Sequence, residues 1–350
     1  MSELSNKDIQ MSKGYAILTM LMLHLFCLQG GRVIGNHLIW MDPETPVLYY
    51  VGWICAICAP TYCICSGYAH YKQGEIKGLT RKKRLKRVFK FLVGFWIVCL
   101  FVVSIGLILG SKEIPGSILE FVMNLCLVSW SYTGIWWFAF VYVVYVTLSK
   151  TIYGVIEEKN NTFVIVFLLV QFIFFEVLQK IIPAYIAGHG ILEWVWDRIY
   201  YLSGARLLCY MGGMYLAKYR CISKTKDILL KLQYPNMMIF LTLSCMIAGL
   251  LILDKGILIV FFAFPVFIGF NCLRKGELTT KIMSLLGKYS TFVWLLHPFI
   301  YSGRFKELTD LWLCLRYPIF LLLGLLLTTI ITAIPLEKLS GNILQRFEQV

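Results

Sequence analysis

The sequence predicts an all-α fold: a polytopic membrane helix bundle of about ten transmembrane helices, each long enough to cross a bilayer. Of 350 residues, 59% are hydrophobic and only 15% charged, whereas soluble domains carry about a quarter charged residues. The apolar residues come in runs of about 16 to 24, sufficient for a hydrocarbon layer roughly 30 Å thick, with short polar segments between them. These runs are continuous rather than alternating. That selects helices over a β-barrel, because backbone groups in lipid must find partners within the segment or in a closed sheet.

Taken in order, the spans are expected at approximately 14–29, 47–69, 89–109, 134–154, 162–182, 198–217, 235–253, 256–273, 284–301 and 315–335. Segment 117–130 is apolar but short and reads as a re-entrant or interfacial helix before the fourth span. With the N-terminus inside, the inner segments hold 24 of the 33 lysines and arginines. The opposite orientation inverts that bias, so the positive-inside rule places both termini in the cytoplasm. There is no internal repeat and no dividing linker, and 1–350 reads as one integral-membrane domain. Gln29-Gly-Gly-Arg32 is a poor cleavage match, so the first run is expected to be retained.

The net charge of +14 follows the loops. This argues against nucleic acid as a partner and for membrane lipid. The twelve cysteines fall mostly inside apolar runs, where a thiol behaves as a small hydrophobe. Cys55-Ala-Ile-Cys58 and Cys63-Ile-Cys65 lack a histidine or second pair at zinc-site spacing, so no metal is expected.

Several stretches carry chemistry. Lys13 and His24 sit eleven residues apart in the first apolar run. On a helix they share a face about 16 Å apart, which puts an ionisable imidazole near mid-membrane, where such a group is costly and a functional candidate. The run Arg81 to Lys90 suits topology control and anionic headgroups first, and as a sharper alternative a phosphorylated cytosolic ligand, whose oxygens match arginine forks. Pro60 and Ser66-Gly67-Tyr68 interrupt the second span, either bending it around something or allowing close helix packing. Trp136-Trp137-Phe138 opens the fourth span as an aromatic belt does. The loop 183–198 carries His189, Glu193, Trp194, Trp196 and Asp197, which suits a carbohydrate surface or any wet interfacial loop. Asn160-Asn161-Thr162 matches a glycosylation acceptor but falls inside. His297-Pro298 places a second histidine in the outer half of the ninth span, as a packing hydrogen bonder or a site group.

Together these stretches resemble the acyltransferase-3 family of bacterial membrane O-acyltransferases. The resemblance is carried by Lys13 with His24, where the family more usually has arginine at the first position; by Ala59 to Tyr68; by Arg84-Leu-Lys-Arg87; by Gly134-Ile-Trp-Trp-Phe138; and by Ser290 to Pro298. It implies transfer of an acyl group, usually acetyl from acetyl-CoA as co-substrate with no bound cofactor, to a hydroxyl of an extracytoplasmic glycan. It also implies the bacterial plasma membrane and possible polysaccharide-biosynthesis machinery as neighbours.

On that resemblance Lys13, Arg84 and Arg87 are expected to meet the CoA phosphates. His24 and His297 are the catalytic candidates, and Ser66, Trp136, Trp137, Glu193 and Trp196 are expected to line the acceptor's route. A sugar hydroxyl needs a base, and neutral imidazole, with an unperturbed pKa near 6.5, serves. The alternative is a transporter or flippase for a glycan or lipid-linked substrate, whose polar residues line a path without acyl chemistry.

Overall fold

Six helical segments among the described residues are long and apolar enough to cross a membrane: Val47–Lys77, Arg81–Ile108, Gly134–Glu158, Asn161–Ile186, Pro235–Leu253 and Pro318–Phe347. A shorter apolar segment spans Gly256–Cys272. The computed structural model describes residues 3–27, 34–41, 44–253 and 256–349. Within them every regular element is helical, apart from one isolated antiparallel bridge between Trp40 and Pro46. The expected end of the first span at 28–29, and the Gln29–Arg32 stretch, lie outside the described residues.

The remaining expected spans fall on helices of a different build. Residues 14–26 belong to the continuous helix Asn6–Phe26, whose first turns are polar. Ser5 begins it as a capping box: its hydroxyl accepts from the Asp8 N–H at 3.2 Å while the Asp8 carboxylate accepts from the Ser5 N–H at 2.9 Å. The expected span 198–217 is divided into Gly190–Leu202 and Gly204–Lys218. The second piece has 15 residues, which at about 1.5 Å each makes a rod near 22 Å, short of a full crossing. The expected span 284–301 runs as Glu277–Leu296 and restarts as Pro298–Tyr301. Pro298 has no N–H to continue the ladder. In segment 117–130 the helix covers only Ile118–Leu125, too short to span.

The chain forms two compact units. The first comprises Met1–Ser12, Ile57–Leu85 and Val141–Thr279; the second comprises Lys13–Ala56, Lys86–Phe140 and Thr280–Val350.

The first unit is centred on helix Cys58–Lys77 lying against Gly204–Lys218. Gly67 and Gly213 make that possible. A Cβ at Gly67 would collide with the Tyr210 carbonyl oxygen, and one at Gly213 with that of Ile64, so each helix presents glycine to the other's backbone. Helix Cys58–Lys77 runs unbroken through Ser66-Gly67-Tyr68; the interruption is the 3₁₀ turn Cys55–Ile57 just before it. Pro60 is the third residue of the helix, within the first turn, where a missing N–H costs no ladder bond. Further on, the Tyr68 and Tyr71 hydroxyls donate to the carboxylates of Glu3 and Glu157. His70 Nδ1 lies 2.7 Å from the Tyr210 hydroxyl.

The break at Gly204 is secured from a neighbouring helix. Gly204 has φ of +55°, a region glycine enters freely. Gln171, from Asn161–Ile186, accepts from the Gly204 N–H at 3.0 Å and donates to the Gly204 carbonyl at 3.1 Å. One side-chain amide thus satisfies both backbone groups, as an apolar environment demands.

In the second unit, helix Asn6–Phe26 from Lys13 onward packs along Glu277–Leu296. Gly14 sets the approach, since a Cβ there would overlap the carbonyl oxygen of Met283. Both chains ascend from that point in the same direction, to His24 and His297. Helix Arg81–Ile108 contributes Phe91 and Phe95, whose rings meet Trp294 and Trp136 at 6.4 and 4.9 Å. The segment between Ile108 and Trp136 is ordered by buried Asn124, which donates to Ser131 and the Glu120 carbonyl, both at 2.9 Å.

Candidate active site

The parallel course of two helices brings together histidines that lie 273 residues apart in the sequence. His24 is near the end of Asn6–Phe26, and His297 is at the break between Leu296 and Pro298. His24 Nδ1 lies 2.8 Å from His297 Nε2. The ring planes are within 8° of parallel and the centroids 5.1 Å apart. A separation that large, with nitrogens this close, means the rings meet edge to edge in nearly one plane rather than face to face. The hydrogen bond is therefore short and well directed. Tyr301, one helical turn beyond His297, lays its ring 6.3 Å from His24 and 5.8 Å from His297, within about 20° of both planes by the same ring geometry.

Burial separates the two imidazoles. His297 is 0% exposed, and its Nδ1 lies 3.1 Å from the Val293 carbonyl oxygen. His24 is only half-buried. Among the described residues no third histidine, cysteine, aspartate or glutamate joins the pair in a metal-ligating group.

Trp136 supports this arrangement from behind. It is 1% exposed, and its indole N–H donates to the Leu295 carbonyl at 3.1 Å. Leu295 is two residues before His297, so Trp136 grips the last turn of the helix that delivers it. Phe95, Tyr132 and Phe299 enclose the indole, the first and last of them edge-on at 4.9 and 5.5 Å. Trp137 is half-buried, with its ring edge-on to Phe138 at 5.5 Å.

Of the residues singled out from the sequence, Lys13, His24, Arg87, Trp136, Trp137 and His297 belong to the second unit. Lys13 and His24 occupy one uninterrupted helix, and both are half-buried. Ser66, Arg84, Glu193 and Trp196 belong to the first unit. Ser66 is half-buried. Arg84 donates to the Leu79 carbonyl at 3.0 Å, across the turn after helix Cys58–Lys77. Glu193 is exposed and accepts from the Gly188 N–H at 2.7 Å, closing the turn before helix Gly190–Leu202. Trp196 is half-buried and donates to Gln179 at 2.9 Å.

Sequence reasoning missed Tyr301, Gly14 and the Val293 carbonyl. Tyr301 had a signal, being four residues after a histidine on a helical stretch. Gly14 had one too, as the small residue beside Lys13. The backbone carbonyl had none.

An all-helical chain with several membrane-length apolar helices is a multi-pass membrane protein, here with an edge-to-edge imidazole pair where two of its helices meet. It belongs to the acyltransferase-3 family, whose model, described as an acyltransferase domain, matches residues 6–336 and so takes in both histidines. It is accordingly a membrane transferase acting on acyl groups. No curated protein and no solved structure matches the chain.

Proposed function

We propose that this protein is an O-acetyltransferase of the bacterial plasma membrane. It takes acetyl from cytosolic acetyl-CoA and passes it to a hydroxyl of an extracytoplasmic glycan such as an exopolysaccharide or capsule. The proposal includes ten crossings with both termini cytoplasmic, the shorter and broken helices being counted with the six long ones. The charge bias of the loops supports that orientation.

The observation that carries the reading is the 2.8 Å contact between His24 Nδ1 and His297 Nε2. A sugar hydroxyl attacks the thioester carbonyl and loses its proton to an imidazole as the C–O bond forms. The tetrahedral intermediate collapses, the C–S bond breaks, and the departing thiolate takes that proton. General acid–base help of this kind is worth about 100- to 10,000-fold. Lys13, Arg84 and Arg87 are assigned to the CoA phosphates on their charge and on the family resemblance. Ser66, Trp137, Glu193 and Trp196 are assigned to the acceptor's route on the resemblance and on residue chemistry; Trp136, expected there too, is 1% exposed and has no surface to offer an acceptor, so its part is to hold the helix that carries His297. Family membership does not favour a transporter or flippase that performs no acyl chemistry.

Mass analysis of surface glycans, from cells with and without the protein and supplied with isotope-labelled acetate, tests the reading. Label appears on glycan hydroxyls only when the protein is present, and His24→Ala abolishes it while the protein still inserts. Glycan export that depends on the protein, with no acetyl label, overturns the proposal.

A further inference from the structure

Val293 fixes the protonation pattern of the imidazole pair. A backbone carbonyl only accepts hydrogen bonds. His297 Nδ1, 3.1 Å from the Val293 oxygen, therefore carries a proton. In a neutral ring the other nitrogen, Nε2, is then a bare acceptor. Facing it at 2.8 Å is His24 Nδ1. Two bare nitrogens would repel, so His24 Nδ1 carries the proton of that bond. The lone pair of His24 then lies on Nε2, the nitrogen not engaged by His297.

We infer that His24 Nε2 is the basic atom of the acyl transfer and that His297 is a positioning residue, set by the Val293 carbonyl, which holds His24 in the Nδ1–H tautomer. This rests on the acyl-transfer reading above. Burial supports the division of roles: His297 is 0% exposed and has no surface to offer a substrate, whereas His24 is half-buried. When Nε2 takes the acceptor's proton, His24 becomes cationic and its Nδ1–H bond to His297 becomes charge-assisted, hence stronger. That bond favours the transition state over the resting state. A backbone carbonyl thus chooses, through one ring, which nitrogen of the next ring does chemistry, as outer partners do for metal-bound histidines.

Two measurements on the full-length protein in lipid bilayers test this. Nitrogen-15 NMR of histidine-labelled protein, assigned with His24→Gln and His297→Gln, reads the tautomers without any substrate. Both rings are expected as Nδ1–H, and an Nε2–H tautomer at either position overturns the inference. Acetyl transfer from acetyl-CoA to the isolated envelope glycan fraction supplies the second. His297→Gln offers a carbonyl oxygen in place of Nε2, so its kcat is expected within about tenfold of wild type with KM unchanged, while His297→Leu falls by about 100-fold or more, the scale set by losing a base's orientation. If His297→Gln falls as far as His297→Leu, the positioning role is refuted. If His24→Gln keeps full transfer, the imidazole-base reading itself fails, whatever the tautomers are.

Discussion

Gly14 sits against the carbonyl oxygen of Met283 with no room for a side chain. Ten residues on along one helix and fourteen along the other, His24 meets His297. The same two helices thus make a near contact of backbones at one end and a contact of imidazoles at the other. Gly14→Leu is expected to force the helices apart at a cost of about 1–3 kcal/mol, the usual range for overpacking. Under the proposed function, acetyl transfer should suffer more than thermal stability of the purified protein, because the hydrogen bond tolerates less displacement than the packing. Unimpaired transfer by this variant would show that the two contacts are independent.

Trp136→Phe keeps an aromatic ring in the cluster but removes the donor to the Leu295 carbonyl. The expected loss is about 0.5–1.5 kcal/mol, the net value of one hydrogen bond, or more if the carbonyl stays unpartnered. Thermal unfolding in detergent should register it as a lower midpoint. An unchanged midpoint would mean that the indole contributes through its ring alone.

Tyr301 touches the imidazole pair with its ring. Tyr301→Phe should therefore retain kcat, whereas Tyr301→Ala should lose about tenfold, equivalent to about 1.4 kcal/mol of barrier. Steady-state acetyl transfer separates the two variants. Equal losses in both would move the role to the hydroxyl.

On the proposed assignment of Lys13 to the CoA phosphates, Lys13→Ala is expected to raise KM for acetyl-CoA about tenfold with kcat little changed, the signature of lost uniform binding. Lys13→Arg should restore affinity or improve it, because a guanidinium pairs phosphate oxygens bidentately. Initial rates against acetyl-CoA concentration decide. A fall in kcat at constant KM would place Lys13 in the chemistry instead.

Gln171→Leu should leave the Gly204 N–H, an orphan donor of the first helical turn, without its partner, while the carbonyl keeps its place in the helical ladder. The penalty is about 1–3 kcal/mol for that buried N–H. Hydrogen exchange at Gly204 would report it directly, through faster exchange of that amide alone.

Much of the scaffold was legible in the sequence because lipid imposes so few solutions. The apolar run that contains Lys13 and His24 is one helix over its described residues, as its unbroken apolar length required. Hydropathy averages over a window, and so it passed across Ser203-Gly204, where the chain stops one helix and starts another. Trp136 read equally as an interfacial belt residue. Its burial follows from Phe95, Tyr132 and Phe299, which local spacing does not assemble. Pro60 looked like an interruption, yet a proline in a helix's first turn leaves the ladder intact. The two histidines were each visible; their meeting was not, because it lies between helices far apart in the chain.

The amide of Gln171 has a consequence for sequence drift. It supplies a donor and an acceptor at once to the backbone of Gly204, so no aliphatic, acidic or basic residue replaces both functions. A chain that loses the glycine, and with it the left-handed turn, no longer needs the glutamine. Positions 171 and 204 are expected to change as a couple among related sequences, although neither touches the imidazole pair.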